Sequence, residues 1–275
     1  MPKQRLDTLL VDRGLCESRQ LAQRWIRAGE VKVNDCPIDK PGTAVDIESE
    51  IAVKPRARFV SRGGEKLAGA LKEFEIAMGD RVCLDAGIST GGFTDCLLQN
   101  GAMRVYGVDV GYGQVAWKLQ TDDRVVIRER TNIRHLQAEE LYSEGDPRPN
   151  LGVTDVSFIS LTKIFPALHR LLVSPREMVV LVKPQFEVGK ARIGKNGVVR
   201  DPAAKVDAIR GAIESASELG WQVRGLAGSP ITGPAGNTEF LLWLCEAGES
   251  PAFEPVELTD VEIRAVVDRV DRQSR

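Results

Sequence analysis

The chain has 275 residues, 43% of them hydrophobic, so it can bury a full-sized core and still form a second, smaller module. Its formal net charge of -2 gives no overall basic field, although residues 1–32 and 54–72 are locally rich in lysine and arginine. Five cysteines without a C-x-x-C pair and two histidines without ligand spacing argue against a zinc site and a histidine-based triad. Because no signal peptide or long apolar stretch is evident, we expect a cytoplasmic protein with reduced thiols, no metal and no membrane association.

The N-terminal part of the chain has the pattern of two short helices. The segments LDTLL and LAQRWI each place apolar residues at helical spacing, and Gly14 and Gly29 are positioned to end the two helices. Either Glu17 or Ser18 can begin the second helix. The sequence therefore predicts a compact helical pair at the start of the chain.

Two alternating segments follow the helical pair. VKVN at 31–34 and AVDIESEIAV at 44–53 alternate between apolar and polar residues, which predicts a small sheet. Together with the helices they form an expected α+β domain over residues 1–57. The basic tract that follows, with its two glycines, is interpreted as a linker over residues 58–64.

The rest of the chain alternates strand and helix patterns. Short β-rich runs begin near residues 81, 104, 124, 151 and 177, and helical patterns fall between most of them; Pro166 is expected to delay the start of one helix. This order predicts a parallel sheet with helices on both faces. The final runs, WQVRGLAGSP and NTEFLLWLCEA, are joined too closely for a helical crossover, so the last strand should be antiparallel. We predict a Rossmann-like, seven-stranded sheet of the methyltransferase type over residues 65–247.

A C-terminal tail is expected over residues 248–275. Its first part is rich in proline and glutamate. Thr259 and Glu262 then have the spacing of a capping box, which predicts a short helix that docks through an apolar stripe.

The glycine-rich segment LDAGISTGGFTD, at residues 84–95, directly follows a predicted strand. A dinucleotide fingerprint requires a second glycine where Ser89 stands, and a phosphate-binding P-loop requires a lysine where Phe93 stands. Asp85 and Asp109 each end a predicted strand, where a carboxylate can bind a cationic ligand or accept from ribose hydroxyls. The segment therefore predicts an S-adenosylmethionine site, and a glycine turn that serves only packing is the competing interpretation.

Several ordered motifs together resemble one family. SRGGEKL, LDAGISTGGFTD, YGVDVGYGQVAWKL, RERTNIR, TDVSFISL, VKPQFE and NTEFLLWL are similar to motifs of the TlyA, or hemolysin A, family of ribosomal RNA 2'-O-methyltransferases. The resemblance covers about residues 4 to 245. It implies an N-terminal S4 RNA-binding domain joined to an FtsJ-like methyltransferase. The sequence departs from the family pattern at Ile88, where a small alanine is expected, and this affects the expected width of the loop.

The resemblance also implies the cofactor site. The residues assigned to S-adenosylmethionine are those of the glycine-rich loop, an acid at the next strand end and an asparagine after the third strand. They are Asp85, Gly87, Ser89, Thr90, Gly91, Gly92, Phe93, Asp109 and Asn132.

The family's Lys-Asp-Lys-Glu tetrad corresponds here to Lys66, Asp155, Lys183 and Glu239. Three of them lie at expected strand ends on the carboxyl edge of the sheet, where such sheets bind ligands. We expect Lys183 to lie between the two carboxylates, to align the 2'-hydroxyl and to act as the base or pass the proton to it. Lys66 is expected to stabilise the oxygen as charge develops.

The resemblance to S4 domains assigns RNA contacts to the first module. Arg5, Arg19 and Lys32 are expected to bind phosphates, while Ser18 and Asn34 are assigned to the same surface as residues that cap turns. A basic, glycine-rich segment at 189–200 is expected to be a mobile loop on the substrate side.

The implied substrate is ribosomal RNA or the ribosomal subunits, at cytidines of 16S rRNA, 23S rRNA or both. Pseudouridine synthases also carry S4 domains, but they need a local catalytic motif that this sequence lacks. A membrane-active hemolysin is a second competing function, and the absence of a signal peptide and of a membrane span in the sequence argues against it. A catalytically inactive RNA-binding protein is a third, and the complete tetrad argues against it.

Overall fold

The computed structural model describes residues 2–54, 57–248 and 256–274. The chain divides into two compact units, Met1–Ala57 and Arg58–Arg275. Within the described ranges, no helix is both long and apolar enough to cross a membrane.

Over its described residues, 2–54 and 57, the first unit contains two helices and two small antiparallel sheets. The helices are α1, Leu6–Asp12, and α2, Arg19–Arg27. The strands are β1, Lys3–Arg5; β2, Val31–Val33; β3, Cys36–Pro37; β4, Ala44–Asp46; and β5, Ile51–Val53. Strand β1 pairs with β4, and β2 lies between β3 and β5. The expected single sheet is therefore two sheets, because β4 and β5 pair with different neighbours.

The helix ends in this unit follow the predicted signals. Gly14 has a φ of 67° just after α1, a backbone conformation that favours glycine. Ser18 rather than Glu17 caps α2, because its hydroxyl accepts a hydrogen bond from the Leu21 amide at 3.3 Å. The predicted helical pair is confirmed.

The second unit is built around a seven-stranded sheet. Its strands are β6, Val82–Ala86; β7, Arg104–Val108; β8, Val125–Arg128; β9, Leu151–Thr154; β10, Glu177–Val182; β11, Trp221–Gly228; and β12, Phe240–Glu246. Their order across the sheet is β11, β12, β10, β9, β6, β7, β8. Strand β12 is antiparallel to both of its neighbours, and the other central pairs are parallel. The predicted fold class is confirmed.

Helices cover both faces of this sheet. They are α3, Gly63–Glu73; α4, Gly92–Gln99; α5, Trp117–Gln120; α6, Ala138–Leu141; α7, Phe165–Leu171; α8, Pro184–Glu187; α9, Pro202–Ser217; and α10, Asp260–Gln273. Successive strand residues face opposite sides, so Leu84 packs with α7 and α9 whereas Cys83 packs with α3 and α4. A short 3₁₀ turn precedes α7, and Pro166 lies in the first turn of that helix, as expected.

The start of the second unit differs from the predicted linker over 58–64. Phe59 is only 3% exposed and belongs to the buried core, and α3 already begins at Gly63. A Cβ atom on Gly64 would lie 2.2 Å from Cγ of Phe59, so the glycine allows the ring to pack against the helix. Because the residues around Phe59 are mostly charged or polar, the sequence pattern does not indicate that its ring is buried.

The C-terminal helix forms as predicted. Thr259 caps α10 in a reciprocal capping box with Glu262. Ile263, Val267 and Val270 of this helix are buried in the core of the second unit. Most of the expected proline- and glutamate-rich tract, residues 249–255, lies outside the described residues.

Candidate active site

Two adjoining cavities open at the carboxyl edge of the sheet. The first, here called the Lys66 cavity, has a volume of about 480 Å³, and the second, the Asp109 cavity, about 620 Å³. Such volumes are typical of sites for small organic ligands. The residues common to both linings are Gly87, Ser89, Asp155, Ser157 and Phe158. The two cavities therefore meet at the glycine-rich loop and the end of β9.

A cluster of paired charges lines the Lys66 cavity. Nζ of Lys66 lies 3.2 Å from Oδ2 of Asp155 and 2.7 Å from Oε2 of Glu239. Nζ of Lys183 lies 2.5 Å from Oδ1 of Asp155, and it donates to Oγ of Ser157 at 2.9 Å. The four predicted tetrad residues thus lie in one cluster, and their roles stay predictions.

The arrangement within the cluster corrects one expectation. The lysine that lies between the two carboxylates is Lys66, not Lys183, whose neighbours are Asp155 and Ser157. Strand order alone favours Lys183, because β10 lies between β9, which Asp155 follows, and β12, which Glu239 precedes. It does not show that helix α3 brings a second ammonium group to the same edge.

Burial makes this pairing necessary. The side chains of Lys66 and Lys183 are each 8% exposed, and that of Glu239 is 1% exposed. An unpaired charge at such a depth would be strongly destabilising, whereas two ammonium groups and two carboxylates cancel in formal charge. The cluster is therefore a preorganised polar site at the carboxyl edge of the sheet.

The glycines of the loop serve different purposes. A Cβ atom on Gly91 would lie 2.1 Å from Cδ1 of Leu119, and one on Gly92 would lie 2.2 Å from Oγ of Ser61. Gly87 has a φ of 89° and lines both cavities. Close packing therefore leaves no room for a side chain at Gly91 or Gly92. Gly87 instead exposes its backbone to both cavities.

Ile88, the departure from the expected loop sequence, packs into the sheet. A Cβ atom on Gly107 of β7 would lie 2.3 Å from Cδ1 of Ile88, so the missing side chain of Gly107 makes room for the isoleucine. Ile88 is 3% exposed. The larger residue is thus accommodated on the β7 side of the loop.

Asp109 and Asn132 lie in the second cavity, as the cofactor assignment expects. Asp109 accepts hydrogen bonds from the amides of Ser89 at 2.8 Å and Gly111 at 2.6 Å, which fixes its carboxylate at the end of β7. Oδ1 of Asn132 accepts from the backbone and guanidinium of Arg134. Among the residues that the structure describes, the amide nitrogen of Asn132 donates to no partner, so its donors are available to a ligand.

Seven of the nine residues assigned to the cofactor line these cavities. They are Gly87, Ser89, Thr90, Gly92, Phe93, Asp109 and Asn132. Gly91 and Asp85 line neither cavity, and their contacts with the cofactor stay predictions.

Asp85 instead lies beneath helix α4. It is 1% exposed, and Oδ2 accepts from the amide and the hydroxyl of Thr94 at 3.0 and 2.7 Å. Alternation along β6 places it on the same side as Cys83, facing α4. Burial raises the pKa of Asp85 to about 7, while the hydrogen bonds from Thr94 act in the opposite direction.

Sequence reasoning missed several residues of the Lys66 cavity. Ser157 contacts Lys183, and Phe158 is 91% exposed with a φ of 65°. The rings of Phe158 and Phe186 lie 5.2 Å apart. Ser157 and Phe158 both follow Asp155 in the motif TDVSFISL. The motif does not show that the Phe158 ring stays exposed at the mouth of the cavity.

The basic segment at 189–200 contributes Asn196 and Gly197 to the same cavity. The buried side chain of Asn237 holds this segment, because it accepts from the Val199 amide and donates to the Gly197 carbonyl, both at 2.9 Å. The expected mobility of the segment stays a prediction.

The residues assigned to RNA contacts lie in the first unit. Arg5, Arg19 and Lys32 are exposed. Ser18 caps helix α2, and Oδ1 of Asn34 accepts from the amide of the distant Glu50 at 3.0 Å, while their assignment to RNA stays a prediction. Across residues 2–54, 57–248 and 256–274, no group of three histidine, cysteine or carboxylate side chains is arranged to hold a metal ion.

This fold and this polar cluster define a class, the Rossmann-like methyltransferases of the FtsJ type. The FtsJ-like methyltransferase family matches residues 59–245, and the S4 domain matches residues 4–51. The chain is 48% identical over 242 residues to the 16S/23S rRNA (cytidine-2'-O)-methyltransferase TlyA of Mycobacterium tuberculosis, covering 87% of this chain and 89% of that protein.

Two further comparisons extend over comparable lengths. Hemolysin A of Brachyspira hyodysenteriae is 40% identical, over 86% of this chain and 98% of its own. A solved structure from Streptococcus thermophilus is 42% identical, has a TM-score of 0.73, and covers 99% of this chain and 97% of its own. The chain belongs to the TlyA family of FtsJ-like methyltransferases, which confirms the resemblance seen in the sequence.

The buried Asp85 predicts a pH dependence of stability. The unfolded chain releases the Asp85 proton near 3.8 and the folded protein near 7. The folded state therefore binds more protons between these values, and the free energy of unfolding should fall as the pH rises through this window. Asp85→Asn should remove this part of the slope, as measured by denaturant unfolding across a pH series.

Asp123→Asn is the matched control, because Asp123 is exposed and its replacement removes the same charge. The control should keep the wild-type slope. An unchanged slope in Asp85→Asn would show that Asp85 ionises normally in the folded protein.

Proposed function

We propose that this protein transfers the methyl group of S-adenosylmethionine to a ribose 2'-hydroxyl of ribosomal RNA, at cytidines of 16S rRNA, 23S rRNA or both. The observation that carries the proposal is the buried cluster of Lys66, Asp155, Lys183 and Glu239, which lines one of two adjoining ligand-sized cavities and shares Asp155 with the other. The Mycobacterium tuberculosis relative, by its name, acts on cytidines of these RNAs.

The Asp109 cavity has the chemistry that S-adenosylmethionine requires. Its walls combine the exposed backbone of Gly87, the carboxylate of Asp109, which two backbone amides hold in place, and the side-chain amide of Asn132. Asp109 would accept from the ribose hydroxyls of the cofactor, and Asn132 would donate to its adenine. When bound, the cofactor supplies a methyl group already activated by the sulfonium.

Because the methyl carbon is activated, the protein has to align the attacking oxygen and assist the loss of its proton. Lys183 faces one carboxylate and one neutral hydroxyl, whereas Lys66 faces two carboxylates. Because Lys66 is already paired with both carboxylates, we assign the base, or the group that passes the proton to the base, to Lys183. Lys66, which pairs with both carboxylates, would stabilise the developing oxyanion.

The expected 2'-hydroxyl would reach this cluster from the cavity mouth. There the exposed ring of Phe158, close to that of Phe186, offers a stacking surface for a base that has left its helix. The S4 unit would bind the RNA backbone through its exposed basic residues, and the 189–200 segment would contact RNA beside the cavity.

Lys183 provides the central test of the chemistry. Lys183→Ala should lower the rate of methyl transfer by at least about 10²-fold, the usual contribution of general acid–base catalysis, because the hydroxyl loses its alignment and base. Binding of S-adenosylmethionine and of rRNA should persist. Lys183→Arg should rescue poorly, because a guanidinium keeps the charge but does not give up its proton.

Lys72→Ala is the control, since it removes an exposed lysine from helix α3. Single-turnover kinetics, isothermal calorimetry and a thermal melt would be compared for each variant. Near-normal turnover by Lys183→Ala would place the base elsewhere. Complete loss of RNA binding would show that the substitution impairs binding as well as the methyl-transfer step. An inactive wild-type protein that binds both ligands would favour an RNA-binding protein without catalysis.

The cofactor assignment predicts a different outcome for Asp109. Asp109→Ala should weaken S-adenosylmethionine binding by about tenfold, since charge-assisted hydrogen bonds to the ribose are lost. Asp123→Ala, which removes an exposed acid, should bind normally. Calorimetry that gives equal affinity for Asp109→Ala and the wild type, with the fold intact, would remove Asp109 from the cofactor site.

A further inference from the structure

A buried acid lies beneath two of the arginines assigned to RNA. Asp7, in the first turn of α1, is 0% exposed. Its carboxylate accepts from Nε and Nη2 of Arg5 at 3.1 and 3.0 Å, and from Nε of Arg19 at 3.0 Å. Nε2 of Gln23 donates to it as well, at 2.8 Å. One carboxylate therefore joins donors from strand β1 and from helix α2.

The electrostatics of this cluster are unusual for a surface that binds a polyanion. The hydrogen bond from Arg5 above all, with those from Gln23 and Arg19, holds the pKa of Asp7 well below its usual range. The carboxylate is therefore ionised at neutral pH and cancels one of the two positive charges above it. By charge alone, Asp7 should weaken RNA binding.

The arginines nevertheless keep donors for a ligand. Their side chains are 50% and 56% exposed. Within the described part of the chain, Nη1 of Arg5 and both Nη atoms of Arg19 form no hydrogen bond. Each guanidinium is thus held by its inner edge and accessible at its outer edge. Donors fixed in this way lose less side-chain entropy when an anion binds than freely rotating arginines would.

The lack of a side chain at Gly42 leaves room for the guanidinium of Arg5. A Cβ atom on residue 42 would lie 3.0 Å from Nη1 of Arg5 and 3.4 Å from its Cζ. A larger side chain at this position would displace the guanidinium without changing any charge.

We propose that Asp7 is a positioning residue that joins Arg5 and Arg19 into one preorganised site for an RNA backbone phosphate. The inference rests on the proposed rRNA substrate, and it deepens that proposal by making the two arginines a single unit. Asp7 acts through the arginines and does not touch the phosphate itself. It lowers the net charge of the surface but fixes the direction of its donors.

The test measures the affinity of the full-length protein for 16S and 23S rRNA transcripts at several salt concentrations. Asp7→Asn removes one negative charge and so raises the net charge of the surface by one. It should nevertheless lower the affinity for rRNA by about tenfold, the effect of one lost charge-assisted hydrogen bond. Glu17→Gln, the matched control, removes an exposed acid from the same unit and should leave the affinity equal or slightly higher. Cofactor affinity should not change in either variant.

A double-mutant cycle separates positioning from a general effect on folding. In the background of Arg5→Gln with Arg19→Gln, the Asp7→Asn change should have no further effect on affinity, because its effect passes through those arginines. A loss of the same size in both backgrounds would overturn the proposal, and so would an affinity of Asp7→Asn equal to or higher than that of the wild type.

Gly42→Val keeps the proposal testable if Asp7→Asn does not fold. It displaces Arg5 without a change in charge, so a similar loss of affinity is expected, and wild-type affinity would contradict the proposal. If the arginine double variant binds rRNA as the wild type does, the phosphate site fails as a whole. That result would leave the assignment of Lys183 untouched, because methyl transfer is measured separately.

Discussion

The carboxylate of Asp155 binds two buried ammonium groups at once, and the geometry of the site depends on this bridge. One of its oxygens contacts Lys66 and the other contacts Lys183. An unpaired charge at this depth would be strongly destabilising, because burial removes its hydration. Glu239 provides the second negative charge, so the cluster is neutral overall and its donors are held in fixed directions.

The topology of the sheet explains why these four residues meet. Strands β9 and β10 are parallel neighbours, so Asp155 and Lys183, which follow them, lie at the same edge. Strand β12 runs in the opposite direction, so its beginning, next to Glu239, lies at that edge as well. Helix α3 then adds Lys66, and its own position is fixed by close packing at Gly64 against the ring of Phe59. The reversed strand therefore brings Glu239 to the edge that carries Asp155 and Lys183.

Much of this arrangement follows from the sequence, because hydrophobic periodicity marks the strands and parallel strands share their carboxyl edge. Side-chain direction is harder to predict. The lysine between the carboxylates is Lys66 rather than Lys183, and Asp85 faces helix α4 rather than a cavity. The basic tract around Phe59 predicts an exposed segment, yet the Phe59 ring is buried. Phe158 has an apolar ring that is expected to be buried, yet it is exposed beside the site. The position of Lys66 depends on contacts with residues far away in the chain, whereas Asp85 accepts hydrogen bonds from Thr94, only nine residues later.

The most direct test of ribose methylation is the chemical identity of the methylated product. Ribosomal RNA and ribosomal subunits from cells that lack the gene would be incubated with the purified protein and S-adenosylmethionine, digested to nucleosides, and analysed by mass spectrometry. We predict 2'-O-methylcytidine, with the methyl group on the ribose. A methyl group on the base, or no methylated nucleoside from a protein that binds both cofactor and RNA, would contradict the proposed reaction.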